Sequence, residues 1–150
     1  MAKRKTLAER FRRRLEELSD AISEELRLPS LEENRLEGYA HLFRLVLPLL
    51  NAEGKRVFTD EILDELFEVL DNRFGGCMVA SSSSAPPLWG LWHPPLESHA
   101  EKDYLTTAEV LTNPIEAANR FFAGLKPILK TAGHVEQQEI LILRIECRLM

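Results

Sequence analysis

Aromatic and imidazole side chains concentrate in one short segment, Leu88-Trp89-Gly90-Leu91-Trp92-His93-Pro94. Tryptophan offers a flat apolar face and a single N–H donor, which suits it to stacking on a ring or gripping a protein partner. The intervening glycine would let a ligand or backbone approach closely, and a histidine can exchange a proton near neutral pH. The candidate ligand-binding residues are therefore Trp89, Trp92, His93 and Tyr104. In the competing interpretation, one tryptophan covers the core, the other lies at its rim, and the histidine is solvated.

The remaining reactive side chains do not form a metal or cofactor motif. The histidines at 41, 93, 99 and 134 lack ligand spacing, and the two cysteines are far apart in sequence. Cys77 follows a predicted helix C-terminus, where the helix dipole raises the pKa of a thiol, so a reactive thiolate is not expected. We predict no metal and no cofactor.

Motifs of common enzyme classes are also missing from the sequence. It contains no phosphate loop, no G-x-S-x-G elbow and no dinucleotide fingerprint. Gly75-Gly76 closes a predicted helix instead of opening one, so the pair is interpreted as a turn and not as an anion cradle. These absences favour a non-catalytic protein without excluding an enzyme.

Charge is distributed unevenly along the 150 residues, which carry a formal net charge of −5. Basic residues crowd the beginning, including Arg12-Arg13-Arg14, and acids dominate from Glu16 to Glu37. The basic run could contact nucleic-acid phosphates. It could equally form the solvent-exposed face of an amphipathic helix, where each arginine pairs with an acidic residue one helical turn later. Because the rest of the chain is not basic, we do not expect nucleic acid to be the partner.

Composition favours a soluble protein in a reducing compartment. The hydrophobic fraction of 45% is ordinary for a globular domain, and no apolar run approaches the ~20 residues that span a bilayer. The start of the sequence lacks the apolar core of a secretory signal. Two cysteines do not make a disulfide framework. We therefore expect a cytoplasmic protein without membrane contact.

The first element is an amphipathic helix over residues 1–28. Thr6 and Glu9 have the spacing of a capping box, and Pro29 should end the helix. Apolar side chains recur at spacings of three and four, which places them on one stripe. This stripe supplies the candidate partner-binding residues Leu7, Phe11, Leu15, Leu18 and Ile22. It could pack on the domain, on its twin in a dimer, or on another protein.

After a polar linker at 29–38, residues 39–150 read as one domain of alternating strands and helices. Strands are predicted at 39–48, 77–81, 88–92, 104–111 and 139–149. A helix capped by Thr59 should end at Gly75. A second helix should be capped by Asn113, and the Glu116 side chain should accept the reciprocal hydrogen bond from the Asn113 backbone N–H. Pro127 should kink or end that helix nearby, with Gly133 closing it.

The last predicted strand alternates between apolar and charged residues. The alternation predicts one inward face and one outward face. The expected inward residues are Leu141, Leu143, Ile145, Cys147 and Leu149, and the expected outward residues are Arg144, Glu146 and Arg148.

The order strand, helix, two or three strands, helix, strand predicts an α+β fold. A split βαβ pair of this kind gives a ferredoxin-like antiparallel sheet with two helices on one face, here preceded by the extra N-terminal helix.

Arg73-Phe74-Gly75-Gly76 followed by Gly90-Leu91-Trp92 resembles a group of small bacterial proteins. That group is ferredoxin-like, with a phenylalanine-glycine-glycine corner and a downstream glycine-x-tryptophan. The resemblance covers residues 39–149 and implies the fold, without an activity. The group usually has a threonine shortly after the glycines, where this sequence has Cys77-Met78-Val79.

These observations favour a non-catalytic interaction or regulatory module that works as a homodimer or binds a larger protein. Its binding surface would be a sheet face, a free strand edge or the N-terminal helix. The alternatives are a small enzyme or ligand binder with a pocket at the tryptophan segment, and nucleic-acid contact through the basic N-terminal helix.

Overall fold

The computed structural model of this chain describes residues 3–26, 36–51, 53–80, 88–92, 101–133 and 139–150. Their elements are, in order, α1 (Leu7–Glu25), β1 (Tyr39–Pro48), α2 (Asp60–Phe74), β2 (Met78–Ala80), β3 (Leu88–Trp92), β4 (Glu101–Thr112), α3 (Glu116–Ala132) and β5 (Leu141–Arg148). The predicted α+β class is confirmed. Pro29 and most of the predicted linker lie outside the described residues.

The strands form one antiparallel sheet in the order β2-β4-β1-β5, with β3 also paired to β4. Two short strands share the long β4: β2 pairs with residues 107–109, and β3 pairs with residues 101–105. Together they fill a single position at one edge of the sheet. This strand order is compatible with a ferredoxin-like fold, with three helices described instead of the two that such a fold requires.

The helices cover the sheet face that carries Phe43, Leu45 and Leu47 of β1, all buried in the core. Phe43 stacks on Phe122 of α3, with ring centroids 4.1 Å apart. Phe122 also stacks on Phe74, the last residue of α2, at 5.2 Å. One aromatic stack therefore joins the central strand to two helices.

The predicted inward face of β5 is wrong. Directly paired residues of neighbouring strands share a face, and Phe43 pairs with Arg144 while Leu45 pairs with Ile142. The helix side of β5 therefore carries Ile142, which packs against the core, and Arg144, whose Nη1 donates to Asn119 Oδ1 of α3 at 3.3 Å. The opposite, exposed side carries Leu141, Leu143 and Ile145.

Local signals for α1 and α2 are confirmed. The Thr6 hydroxyl accepts from the Glu9 N–H, and the Glu9 carboxylate accepts from the Thr6 N–H, so the capping box is complete. Thr59 caps α2. Gly75 ends it with φ of 79°, a left-handed conformation that glycine adopts without a Cβ clash. α1 ends at Glu25, before the predicted stop at Pro29.

The predicted cap of α3 is wrong. The N-cap is Ile115, in an extended conformation and without a side-chain capping bond, and the helix begins at Glu116. The Ile115 N–H donates to the Asn113 carbonyl at 2.8 Å, while the Ile115 side chain packs against the core. This tight turn prevents a helical start after Asn113. The helix continues beyond Pro127 to Ala132, and Gly133 follows as its C-cap.

α1 packs within the chain, across both α2 and α3. Phe11, Leu15 and Ile22 are buried in the same core cluster as the sheet and the other helices. A Cβ added at Gly124 of α3 would lie 2.6 Å from Leu18 Cδ1, so this glycine admits α1 at close range. The apolar stripe of α1 thus packs on its own domain, whereas its periodicity alone left open packing on a second copy or on another protein.

Leu15→Ala should therefore destabilise the isolated protein by about 2–5 kcal/mol, because it removes a fully buried side chain and leaves a cavity. Leu7→Ala is the matched control in the same helix: Leu7 is 38% exposed and should cost less than about 1 kcal/mol. Urea unfolding followed by circular dichroism measures both. Equal, small losses would contradict the packing of α1 in cis.

Candidate interaction surface

The structure brings together two of the four candidate ligand-binding residues. In the β3–β4 ladder Trp89 lies directly opposite Tyr104, and Trp92 lies opposite Glu101 at the far end of the same ladder. Tyr104 is partly buried. His93 lies outside the described residues.

The candidate partner-binding residues of α1 are mostly in the interior. Phe11, Leu15 and Ile22 are buried, Leu18 is partly buried against α3, and Leu7 is exposed at the first turn. A partner could reach them only if α1 left the core. The surface available for binding must therefore be sought elsewhere on the chain.

Charges on α1 hold it against its neighbours. The Arg12 guanidinium lies 2.9 Å from Glu65 and 3.4 Å from Glu68 of α2, and it also pairs with Glu16. Arg13 pairs with Glu17 at 3.0 Å. Two arginines of the basic run are thus compensated by carboxylates, so these pairs give the nucleic-acid alternative no support.

The other end of α1 is also tied by charges. Arg120 of α3 pairs with Glu25 at the C-terminus of α1. Arg73 of α2 lies over the Phe121 ring at 5.0 Å, and its burial lowers the pKa of the guanidinium despite the attraction of Asp20 in α1. Each exposed pair contributes little by itself, but together they specify how α1 lies on the other two helices.

The sheet face opposite the helices carries a group of exposed apolar side chains. The β1–β5 register places Leu141, Leu143 and Ile145 beside Val46, Arg44 and Leu42 respectively. The β1–β4 register continues this face to Glu109 and Leu111, and β2 adds Met78 opposite Glu109. We call this surface the open face; its members are Met78, Leu42, Val46, Leu111, Leu141, Leu143 and Ile145, with Arg44 and Glu109 among them.

Exposure along the open face is large for apolar side chains. Leu141 is 44% exposed, Leu143 is 41% and Met78 is 64%. The apolar side chains of the open face lie on four strands of one sheet, and a large apolar patch on a protein surface indicates an interaction site. Sequence reasoning named a sheet face as one possible binding surface but missed these residues, because it assigned the apolar side of β5 to the core.

An ion pair lies within the open face. Arg44 and Glu109 are directly opposite one another in the β1–β4 ladder, and Arg44 Nε donates to Glu109 Oε1 at 3.2 Å. Both side chains remain partly exposed, so the isolated pair contributes no more than about 1 kcal/mol. Its two opposite charges can serve to orient a partner.

Groups suited to a metal or to nucleophilic chemistry are sparse. Among the described residues no three His, Cys, Asp or Glu side chains converge on one point, and neither half-buried cysteine is in a disulfide. Burial raises the pKa of the Cys77 thiol, and the nearby Asp71 carboxylate raises it further. Cys77 therefore remains protonated at neutral pH and is a poor nucleophile.

No helix in the part of the chain that the structure describes is long and apolar enough to cross a membrane. Comparison of the chain with protein-family models, curated proteins and solved structures finds no match.

Alkylation of Cys77 should need a higher pH than alkylation of an ordinary thiol, because burial and Asp71 both disfavour the thiolate. In a Cys147→Ser background, the rate of modification by iodoacetamide measured against pH gives the apparent pKa directly. Asp71→Asn should shift that profile to lower pH. A profile at or below the ordinary thiol range, or one unmoved by Asp71→Asn, would contradict this account.

Proposed function

We propose that the protein is a non-catalytic interaction module whose binding surface is the open face of the sheet. The observation that carries the proposal is the row Leu141, Leu143 and Ile145, exposed on the side of the sheet that the helices leave uncovered. α1, another of the three candidate surfaces, already uses its apolar stripe in the core.

The side chains of the open face indicate what kind of surface a partner should present. Fully burying one leucine or isoleucine side chain stabilises a complex by up to ~1.5–3 kcal/mol, and these side chains begin roughly 40% exposed. The ion pair Arg44–Glu109 requires polar groups opposite it, because a desolvated charge without a partner is costly. The expected partner is a protein with an apolar surface that carries opposite charges near its centre.

The fold assignment forms part of the same proposal. The order β2-β4-β1-β5 with two crossover helices supports a ferredoxin-like domain. The left-handed Gly75 after Phe74 fits the phenylalanine-glycine-glycine corner of the resembling bacterial group. Two free cysteines fit a reducing compartment, so the proposed location is the cytoplasm.

A second candidate function is ligand binding at the tryptophan segment. The observation in its favour is the direct pairing of Trp89 with Tyr104, which brings two aromatic residues to neighbouring positions on adjacent strands. Aromatic pairs of this kind can stack on a flat ligand. This site is located on β3 and β4 and can be tested separately from the open face.

Leu143→Glu should remove partner binding, because it places a carboxylate in the middle of the apolar row. The measurement is affinity purification of the tagged full-length protein from its own cells, with quantitative mass spectrometry of the proteins that it retains. We expect recovery of the specific partner to fall at least ~10-fold, the equivalent of losing about 1.4 kcal/mol of binding.

The matched control is Leu7→Glu, the same substitution at a similarly exposed leucine on the helix side. It should retain the partner at the level of the unmodified protein. Thermal melts of both variants check that they remain folded. A retained set that is identical for the two variants would overturn the open face as the binding surface.

A further inference from the structure

β5 is an edge strand of the sheet: one of its two edges is hydrogen-bonded to β1, and the other is not paired with any described strand. The Leu149 N–H donates to the Gly38 carbonyl at 2.6 Å, which directs the backbone of residue 149 toward β1. Because this direction alternates along a strand, the odd-numbered residues of β5 direct their backbone groups at β1. The even-numbered residues, from Ile142 to Arg148, direct theirs outward, where no described strand pairs with them.

We propose that this edge is occupied by β5 of a second copy, in an antiparallel ladder whose two-fold axis passes through Ile145. An antiparallel pair of identical strands is closed by a two-fold axis, so the interface is self-complementary and ends at a dimer. Hydrogen bonds between the two edges require even-numbered residues to face even-numbered residues. This requirement leaves few registers to consider.

Charge and the length of the strand overlap together select one of these registers. An axis through Ile145 places Arg144 opposite Glu146 of the second copy, and the two-fold axis repeats this pair. An axis through Arg144 or Glu146 instead places that charge opposite itself, which is destabilising. An axis through Cys147 pairs Glu146 with Arg148, but it restricts the overlap within β5 to residues 146–148. An axis through Leu143 forms no Arg–Glu pair.

The register centred on Ile145 suits both faces of the sheet. On the helix side it forms the two Arg144–Glu146 pairs, beside the existing contact of Arg144 with Asn119. On the open face Ile145 meets Ile145, and Leu143 meets Cys147 of the second copy. Leu143 and Ile145 are exposed in the single chain, and apolar cross-strand pairs of this kind stabilise a ladder.

The dimer would form one continuous sheet, with the helices of both copies on the same side and the two open faces adjacent. The inference goes beyond the proposed function, since it concerns the backbone edge of β5. Leu143 and Ile145 belong to both surfaces, but Arg144 and Glu146 lie on the helix side, so their charge reversal tests the edge apart from the open face.

Cysteine cross-linking tests the register on the full chain. In a Cys77→Ser, Cys147→Ser background, Ile145→Cys should form a disulfide-linked dimer on mild oxidation. Residue 145 faces itself at a Cα separation of about 4.5 Å, as expected for a pair without mutual hydrogen bonds, which is within disulfide range. The readout is non-reducing electrophoresis, with sedimentation velocity on the unoxidised protein.

Leu143→Cys in the same background is the matched control. The two copies of residue 143 are offset by four residues, or about 14 Å along the strands, so they should not link. Restoring Cys147 to this variant should restore the cross-link, because Leu143 faces Cys147 of the second copy. Equal linking of Ile145→Cys and Leu143→Cys in the background without native cysteines would overturn the register.

Charge reversal supplies a second measurement. Arg144→Glu should weaken dimerisation about 10-fold, because it creates two like-charged pairs across the axis. Adding Glu146→Arg restores opposite charges and should recover the dimer, which a loss of the Asn119 contact alone would not allow. A protein that sediments as a monomer at every soluble concentration, or a double variant no stronger than the single one, would overturn the proposal.

Discussion

The stack of Phe43, Phe122 and Phe74 determines which side of the sheet becomes the interior. It joins the central strand to α3 and to the last turn of α2, and each aromatic pair adds ~0.5–1.5 kcal/mol beyond the area that it buries. Once Phe43 faces the helices, strand alternation and the β1–β5 register direct Ile142 inward and Leu143 outward. The open face is thus a direct consequence of this stack.

α1 completes the helical layer on the buried side. Leu15 is fully buried, and Gly124 allows Leu18 to approach α3 closely. Arg12 pairs with carboxylates of α2, and Arg120 pairs with Glu25 at the C-terminal end of α1, so ion pairs at both ends supplement the apolar packing of this helix. The result is three helices on one side of the sheet and, on the other, a face that no described helix or strand covers. Leu141, Leu143 and Ile145 are exposed on that face.

The two proposed surfaces use different chemistry on the same strand. The open face offers side chains such as Leu143, whose burial is non-directional and accommodates partners of many shapes. The edge of β5 offers backbone N–H and C=O groups together with Arg144 and Glu146, and these two side chains face each other only in the register centred on Ile145. Exposed edges risk uncontrolled pairing, and native proteins manage them with charged residues. On β5 the charges favour one closed arrangement over an open series.

Much of the local structure was predictable, because it depends on residues close together in sequence. The Thr6–Glu9 capping box, the Thr59 cap and the left-handed Gly75 follow from spacing and side-chain chemistry, and the structure confirms them. Asn113 failed as a cap because the tertiary packing of Ile115 prevailed over a local preference. Likewise, the chain order predicted an α+β class, but pattern alone could not place α1 in cis or in trans.

The sequence by itself determined that β5 has one apolar side and one charged side, since alternation is a property of the extended chain. Which side faces the core depends on the pairing of Phe43 with Arg144 and of Leu45 with Ile142, contacts between residues roughly 100 positions apart. Hydrophobicity predicts burial on average, but a sheet covered on one side must leave its other face in water. The tertiary structure therefore decided that Leu141, Leu143 and Ile145 form a surface.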